Sequence, residues 1–247
     1  MSKKLKINKD YPYMYETHLH TSEGSACGRS TGAEMARACK AAGYTGIMVT
    51  DHFFGGNTAI DRKLPWSEWV ENYCKGYENA KKVGDEIGLQ VFFGWEQSLY
   101  GGIDFLIYGL DKEWLLKHPE VKDATAEEQY RIVHEAGGLV IHAHPFREAF
   151  YIPKIVLFPE AVDGVEIINA SHELRYQGPE KENPYDTQAK EYAKKHNFPE
   201  TGGSDVHSVD LIGGGMAFAR KLDSVQDYMK AVMNREGIVL PGLSAFE

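Results

Sequence analysis

Short apolar runs recur along the chain, and nearly every one stops at a histidine, a carboxylate or an asparagine: YMYETHLH, GIMVTDH, LQVFFGWE, LVIHAHP, GVEIIN and TGGSDVH. Runs of this length, spaced by helix-length segments, are the pattern of repeated strand and helix units around a mostly parallel sheet. In a barrel of parallel strands the C-terminal rim gathers reactive groups, because each strand delivers a side chain to one mouth. The pattern therefore predicts that His18, His20, Asp51, His52, Glu96, His142, His144, Asn169, Asp205 and His207 converge from distant positions.

Strands are predicted over 13–19, 46–50, 89–96, 104–110, 139–145 and 164–170, with a further short strand in PETGGSDVH. A helix over 31–42 closes at Gly43, where a left-handed residue is wanted. One long helix over 65–87 opens on a proline and closes at Gly88. Further helices fall over 126–136, 184–196 and 223–236, and MAFARKL and GIVLPGL complete the pattern. Residues after 145 and around 171–183 read as long loops that roof a pocket. No internal repeat, low-complexity linker or composition break divides the chain, so 1–247 is expected to form a single α/β domain.

Composition narrows the function classes. The net charge of −9, with no basic block or basic helix face, argues against tight binding of nucleic acid, which needs several phosphate neutralisations. A small substrate is the better expectation. No apolar run reaches membrane-spanning length and the N-terminus lacks the apolar core of a secretory signal, so a cytoplasmic protein without a membrane partner is expected. Cys27, Cys39 and Cys74 are odd in number and lack CxxC spacing, which argues against a disulfide framework or a zinc ribbon.

Residues i and i+2 of a strand share a face, so His18 and His20 can reach one metal together, and Asp205 and His207 repeat that geometry. Imidazole and carboxylate are the donors of zinc, manganese and iron sites that do hydrolysis. Several residues also carry plainer readings. Glu96 is also read as a solvated strand end, and Asp104 as a cap on the turn after Gly102. His142 reads as a pocket group beside His144. Trp66, Trp69 and Tyr73, at helical spacing, read as packing. Cys27 reads as a small loop residue and Cys39 as helix core.

Taken in order, His18-x-His20, Thr50-Asp51-His52, Glu96 behind a glycine-bearing strand, Ala143-His144-Pro145 and Gly203-Ser204-Asp205-x-His207 resemble the successive motifs of the PHP (polymerase and histidinol phosphatase) superfamily. The resemblance runs from about residue 15 to 210. It implies a distorted (β/α)7, TIM-like barrel forming a single metal-dependent hydrolase domain. At its rim it implies two or three divalent metal ions, zinc, manganese or iron. By motif position, His18, His20, Glu96 and Asp205 would bind one ion, with Glu96 bridging to a second. His52 and His207 would serve a further ion, and His144 another, with a ligand from the strand after Glu96. Asp51 is expected to orient a ligand imidazole.

Two departures from the family pattern follow. The loop TSEGSACG lacks the His or Asp that many members carry after HxH, leaving Glu23 or Cys27 in its place. In DFLIYGLD, Asp104 stands where many members have histidine, and this oxygen ligand shifts the preference toward manganese or iron.

The activity so implied is phosphoester hydrolysis of a small phosphorylated substrate, histidinol phosphate or a nucleotide-like phosphomonoester, through a metal-bridged hydroxide. Arg147 is the first candidate to hold phosphate oxygens, ahead of Arg29 and Arg175, because its planar fork matches two of them. His172 or His142 is the candidate for protonating the leaving group. Alternative readings are a phosphodiesterase or 3′–5′ exonuclease, an amidohydrolase, and a catalytically degenerate binding module.

Overall fold

In the computed structural model, residues 4–99, 102–175 and 183–245 are described. Strand β1, Tyr13–Leu19, is followed by helix α1, Gly32–Ala42, and strand β2, Gly46–Val49. Gly43 ends α1 at φ +102°, as the sequence predicts, and at the other end Thr31 caps the helix in a reciprocal box with Glu34. The segment over 65–87 is two helices rather than one: α2, Trp66–Tyr73, and α3, Lys75–Ile87, meet at Cys74. The break gives each half its own packing face. Trp66, Trp69 and Tyr73 of α2 stack in series against Phe53. The α3 face meets α1 so closely that a Cβ on Gly32 would lie 2.1 Å from the Gly76 carbonyl.

Strand β3 runs Gln90–Leu99 and β4 Ile103–Tyr108. This departs from the predicted strand and helix alternation: β4 is antiparallel to both β3 and to β5, Leu139–Ala143. The reversal decides the fate of Asp104. It stands at the start of its strand, opposite Ser98 and Ala143, and so reaches the same rim as the C-terminal ends of the parallel strands. Helices α4, Lys112–Lys117, and α5, Ala126–Glu135, cover this side.

Strand β6, Gly164–Asn169, leads through α6, Ala170–Arg175, to α7, Pro184–His196, and β7, Glu200–Gly203. The sheet order β7-β6-β5-β4-β3-β2-β1 closes on itself where the chain beyond β7 bridges β1: His20 N–H donates to Val206 O and Val206 N–H to His18 O. The result is the distorted TIM-like α/β barrel expected. β8, Met216–Phe218, and β9, Ile238–Val239, extend the sheet from the lower half of β1, and α8, Val225–Met233, intervenes between them. Leu106, Tyr108, Ile141 and Met48 gather with Tyr228 of α8 in one apolar cluster, which fills the lower barrel. Phe105, Ile107 and Trp95 face the opposite way, toward α2 and α4. Among the described residues no helix is long and apolar enough to cross a membrane.

Candidate metal centre

Two bulges re-aim side chains toward the barrel mouth. One lies in β1 between Glu16 and Leu19, the other in β6 between Glu166 and Ile168. Two further positions reach inward through backbone that side chains seldom adopt: His144 at φ +29° and Asp205 at φ +53°. Non-glycine residues held there cost about 1–3 kcal/mol and cluster at functional sites.

Glu96 lies at the centre of the group. Its Oε1 is 3.0 Å from His144 Nε2 and 3.2 Å from His18 Nε2. Its Oε2 is 2.5 Å from His52 Nδ1 and 3.7 Å from His20 Nε2. Asp205 Oδ1 approaches His20 Nε2 at 3.3 Å, and both His18 Nε2 and His207 Nδ1 at 3.7 Å. Asp104 Oδ2 stands 3.8 Å from His144 Nε2. The predicted ligand set of His18, His20, His52, Glu96, Asp104, His144, Asp205 and His207 therefore meets in one place. Its donor atoms fall into overlapping groups: His18/His20/Glu96, Glu96/Asp104/His144 and His20/His52/His207.

Three imidazoles are fixed by what their Nδ1 atoms meet. That of His18 is 2.8 Å from Glu166 Oε1, and that of His207 is 2.9 Å from the Asp205 carbonyl. The third, on His20, is 3.0 Å from Ser25 Oγ. Ser25 gives its own proton to Asp51 Oδ1 at 2.7 Å and accepts from His52 N–H at 2.9 Å, so it can only accept from His20. Asp51 therefore acts on an imidazole as expected, but through Ser25, while Thr21 also donates to its carboxylate. In each case Nδ1 carries a proton toward its partner and Nε2 points inward.

Those inward atoms test whether a cation fits. His18 Nε2, His20 Nε2, His52 Nδ1 and Glu96 Oε2 are all buried without a hydrogen-bond partner. A lone pair on His20 Nε2 facing two carboxylates is repulsive unless a positive charge lies between them. Burial, then His207 and His52, hold the His20 pKa well below its ordinary value, so its ring is neutral. Burial alone would lower His18, but Glu166, Asp205 and Glu96 outweigh it and raise it well above normal. Burial pushes Glu96 and Asp205 upward, yet the surrounding histidines hold both well below the carboxylate range. This is a buried anionic nest with imidazole walls, the donor chemistry of a divalent-metal site.

Arg147 is tied into the same group. Its Nη1 donates to Asp205 Oδ2 at 2.9 Å and its Nη2 to Asp104 Oδ2 at 3.2 Å, while Nε stays unpartnered. Above it opens a cavity of about 980 Å³ whose walls include Arg29, Lys122, Tyr151 and Ser171. The loop after Pro145 thus contributes to the pocket as expected. Residues 176–182 of the second predicted roof, and the side chain of Arg175, lie outside the described residues.

Other expectations are corrected. His142 does not join the cluster: its ring stacks on Phe105 at 5.1 Å and meets Tyr192 of α7, on the helix side of the sheet. Burial, then His144, lowers it to about 3, so its ring is neutral and is not an acid at neutral pH. His172 packs beside His144 at 6.4 Å with Nδ1 against Asp186 Oδ1 at 2.8 Å, and burial lowers its pKa. Glu23 turns away to Gly32 N and Asn79 Nδ2. Cys27, read as a simple loop residue, lies against His52 and His207. Burial pushes its thiol up, but His207 and then His52 outweigh this and bring it down to about 6.

Three supporting residues escaped the sequence reading: Ser25, Glu166 and Glu16. Glu166 Oε2 accepts from His144 N and Asn169 Nδ2, both at 3.0 Å, so both its oxygens are used in orienting neighbours. Glu16 accepts from His18 N and Ser204 N, each at 2.9 Å, and joins β1 to the chain after β7. The available signal was an acid inside an otherwise apolar strand, two residues before His18 and in the middle of GVEIIN.

The PHP-associated family matches residues 185–236. No curated protein matches the chain. A two-domain protein from Bacteroides vulgatus, containing a predicted PHP-like metal-dependent phosphoesterase, superposes over 97% of this chain and 68% of its own, with TM-score 0.62 and 14% identity. An amidohydrolase from Chromobacterium violaceum, with bound sulfate, superposes over 91% and 97%, at TM-score 0.55 and 15% identity. Endonuclease Q, in complex with a duplex substrate, superposes over 90% of this chain and 56% of its own, at TM-score 0.57 and 14% identity. The chain thus shares the barrel fold of these structures and carries a PHP-associated segment over residues 185–236.

Proposed function

We propose that this protein is a metal-dependent phosphoesterase that hydrolyses a small phosphomonoester. The observation that carries this reading is the set of buried, unpartnered ring and carboxylate atoms facing one another beneath a cavity walled by Arg29, Lys122 and Arg147. His18, His20, Glu96 and Asp205 would hold one divalent ion. Glu96, His144 and Asp104 would hold a second, and His52 and His207, with His20 beside them, a third. Bound there, such ions supply Lewis-acid activation of water and neutralise phosphoryl oxygens.

The chain's own residues do the remaining work. Glu166, Ser25 and the Asp205 carbonyl fix the imidazoles before any ligand arrives. Arg147, held between Asp104 and Asp205, borders the cavity, where its guanidinium can shift to a phosphate. His172, kept neutral by burial and oriented by Asp186, is suited to accept a proton at Nε2 rather than to donate one.

Purified protein is expected to retain transition metal and to hydrolyse an aryl phosphate only while that metal is present. Metal content near zero after growth in metal-replete medium, with no activity gained on adding manganese, zinc or iron, removes the reading. A cavity of about 980 Å³ exceeds what a phosphate alone requires, which supports a phosphodiester as the second reading. Endonuclease Q provides a neighbour that acts on DNA, while the net charge of −9 counts against it here. Relative rates on a mononucleotide, single-stranded DNA and an amide substrate separate these readings.

A further inference from the structure

The cavity above the metal centre changes character from floor to mouth. Three stretches of chain run from a candidate metal donor to an apolar side chain on its wall: Glu96 to Leu99 along β3, His144 to Tyr151, and His207 to Leu211. Six large apolar side chains are exposed among the described residues, and four of them, Phe150, Tyr151, Ile155 and Leu211, lie within 144–155 or 207–211. Exposed apolar groups gathered at a cavity mouth mark a binding surface.

Both loops are held in place. Arg147 N donates to His144 O at 3.0 Å and Ile152 N to Ala149 O at 2.9 Å, two turns that bring the Arg147 and Tyr151 side chains to one cavity. The Tyr151 ring rests against Gly102, where a Cβ would lie 3.2 Å from its Cε2. In the second loop, Leu211 N donates to Ser208 O at 3.0 Å and Val209 N to Ser30 Oγ at 3.2 Å, which fixes Leu211 at the wall. Lys122 and Asp123, also on the wall, stand 3.9 Å apart and offset each other's charge.

We propose that Leu99, Tyr151 and Leu211 form the subsite for the organic group of the phosphomonoester, and that this group is an apolar ring rather than a polyol or a sugar. Arg147 holds the phosphoryl end, and Tyr151, four residues later on the same loop, covers the organic end. With the phosphoryl group drawn to the donors and to Arg147, the rest of the molecule extends toward the mouth, where a cavity of about 980 Å³ leaves room for it. There a ring removes apolar surface from water on both sides of the contact. A polyol in the same place would give up water at its hydroxyls and find no partner on Leu99 or Leu211.

This inference rests on the phosphoester reading above, and two unreactive phosphonates separate the two. Methylphosphonate and phenylphosphonate carry the same anionic head on a carbon–phosphorus bond that water does not cleave. Titrated calorimetrically into manganese-loaded protein, phenylphosphonate is expected to bind about tenfold more tightly or better, the effect of burying one ring. Tyr151→Ala is expected to cut that preference to about threefold or less, and Tyr151→Phe to keep it, because the ring rather than the hydroxyl makes the contact. Equal affinity for the two probes, or a preference that survives Tyr151→Ala in full, overturns the subsite and leaves the phosphoester reading standing. A preference lost in Tyr151→Phe as well assigns the effect to the hydroxyl and overturns the apolar contact. Binding of neither probe, with metal content measured and folding verified by circular dichroism, overturns both.

Discussion

Nδ1 of His18 on β1 lies 2.8 Å from Oε1 of Glu166 on β6, so two strands on opposite sides of the barrel seam determine which ring nitrogen faces the centre. Because Glu166 also accepts from the His144 amide and from Asn169, it fixes two candidate ligands at once. Replacing Glu166 with Gln should weaken metal affinity by about 10–100-fold, as expected for an outer hydrogen-bond partner of a ligand. Competition with a chromogenic chelator measures this, and unchanged affinity would falsify the orienting role.

His20→Ala and Asp205→Ala should each lower turnover of an aryl phosphate by about two orders of magnitude or more, since each removes a donor from the centre. Both variants should still unfold cooperatively in a thermal melt. Full activity in either contradicts the proposed ligand set.

Arg147 joins Asp104 to Asp205 through separate nitrogens. Arg147→Ala should reduce kcat/KM by about 10–100-fold, in keeping with the roughly 1.5–3 kcal/mol of a charge-assisted hydrogen bond. Arg147→Lys should not restore it, because an ammonium lacks the planar fork that spans both carboxylates. Steady-state kinetics on the three proteins decides the point, and rescue by Lys argues against the bidentate role.

Gly203 gives β1 and β7 room to approach. A Cβ there would lie 2.3 Å from His18 Cβ and 2.7 Å from Glu166 Oε1. Gly203→Ala should cost about 1–3 kcal/mol of stability, the usual penalty of overfilling a packed site. Chemical denaturation reads the loss, and a neutral result would mean that the strands can separate freely.

Away from the centre, Arg220 grips Asp227 through two nitrogens at 2.6 and 2.7 Å and lowers its pKa to about 2. A depressed carboxylate pKa contributes stability that is present above the ordinary carboxylate range and lost as pH falls through the folded value. The Tm gap between the natural protein and Arg220→Met should therefore be widest near neutrality and close as pH drops from about 4 toward 2. A gap that is independent of pH in that window refutes the ion pair's contribution.

Much of the site was legible because strand periodicity is local. His18 with His20, and Asp205 with His207, could be paired from spacing alone, and the caps at Thr31 and Gly43 are equally local events. His142 and His144 have the same spacing, but β5 ends at Ala143 and His144 takes φ +29°, so alternation no longer relates the two rings. One ring reaches Glu96 while the other packs on Phe105.

What the sequence by itself determined was the supply of donors and the places where strands stop, since both follow from residue type and from a repeat of two along an extended chain. Tertiary structure decided the direction of β4, which brings Asp104 to the rim, and the partners Ser25 and Glu166, which choose the tautomers of His20 and His18. Those outcomes depend on contacts between residues far apart in the chain, and hydrogen-bond geometry across a closed barrel is set only once its strands have met.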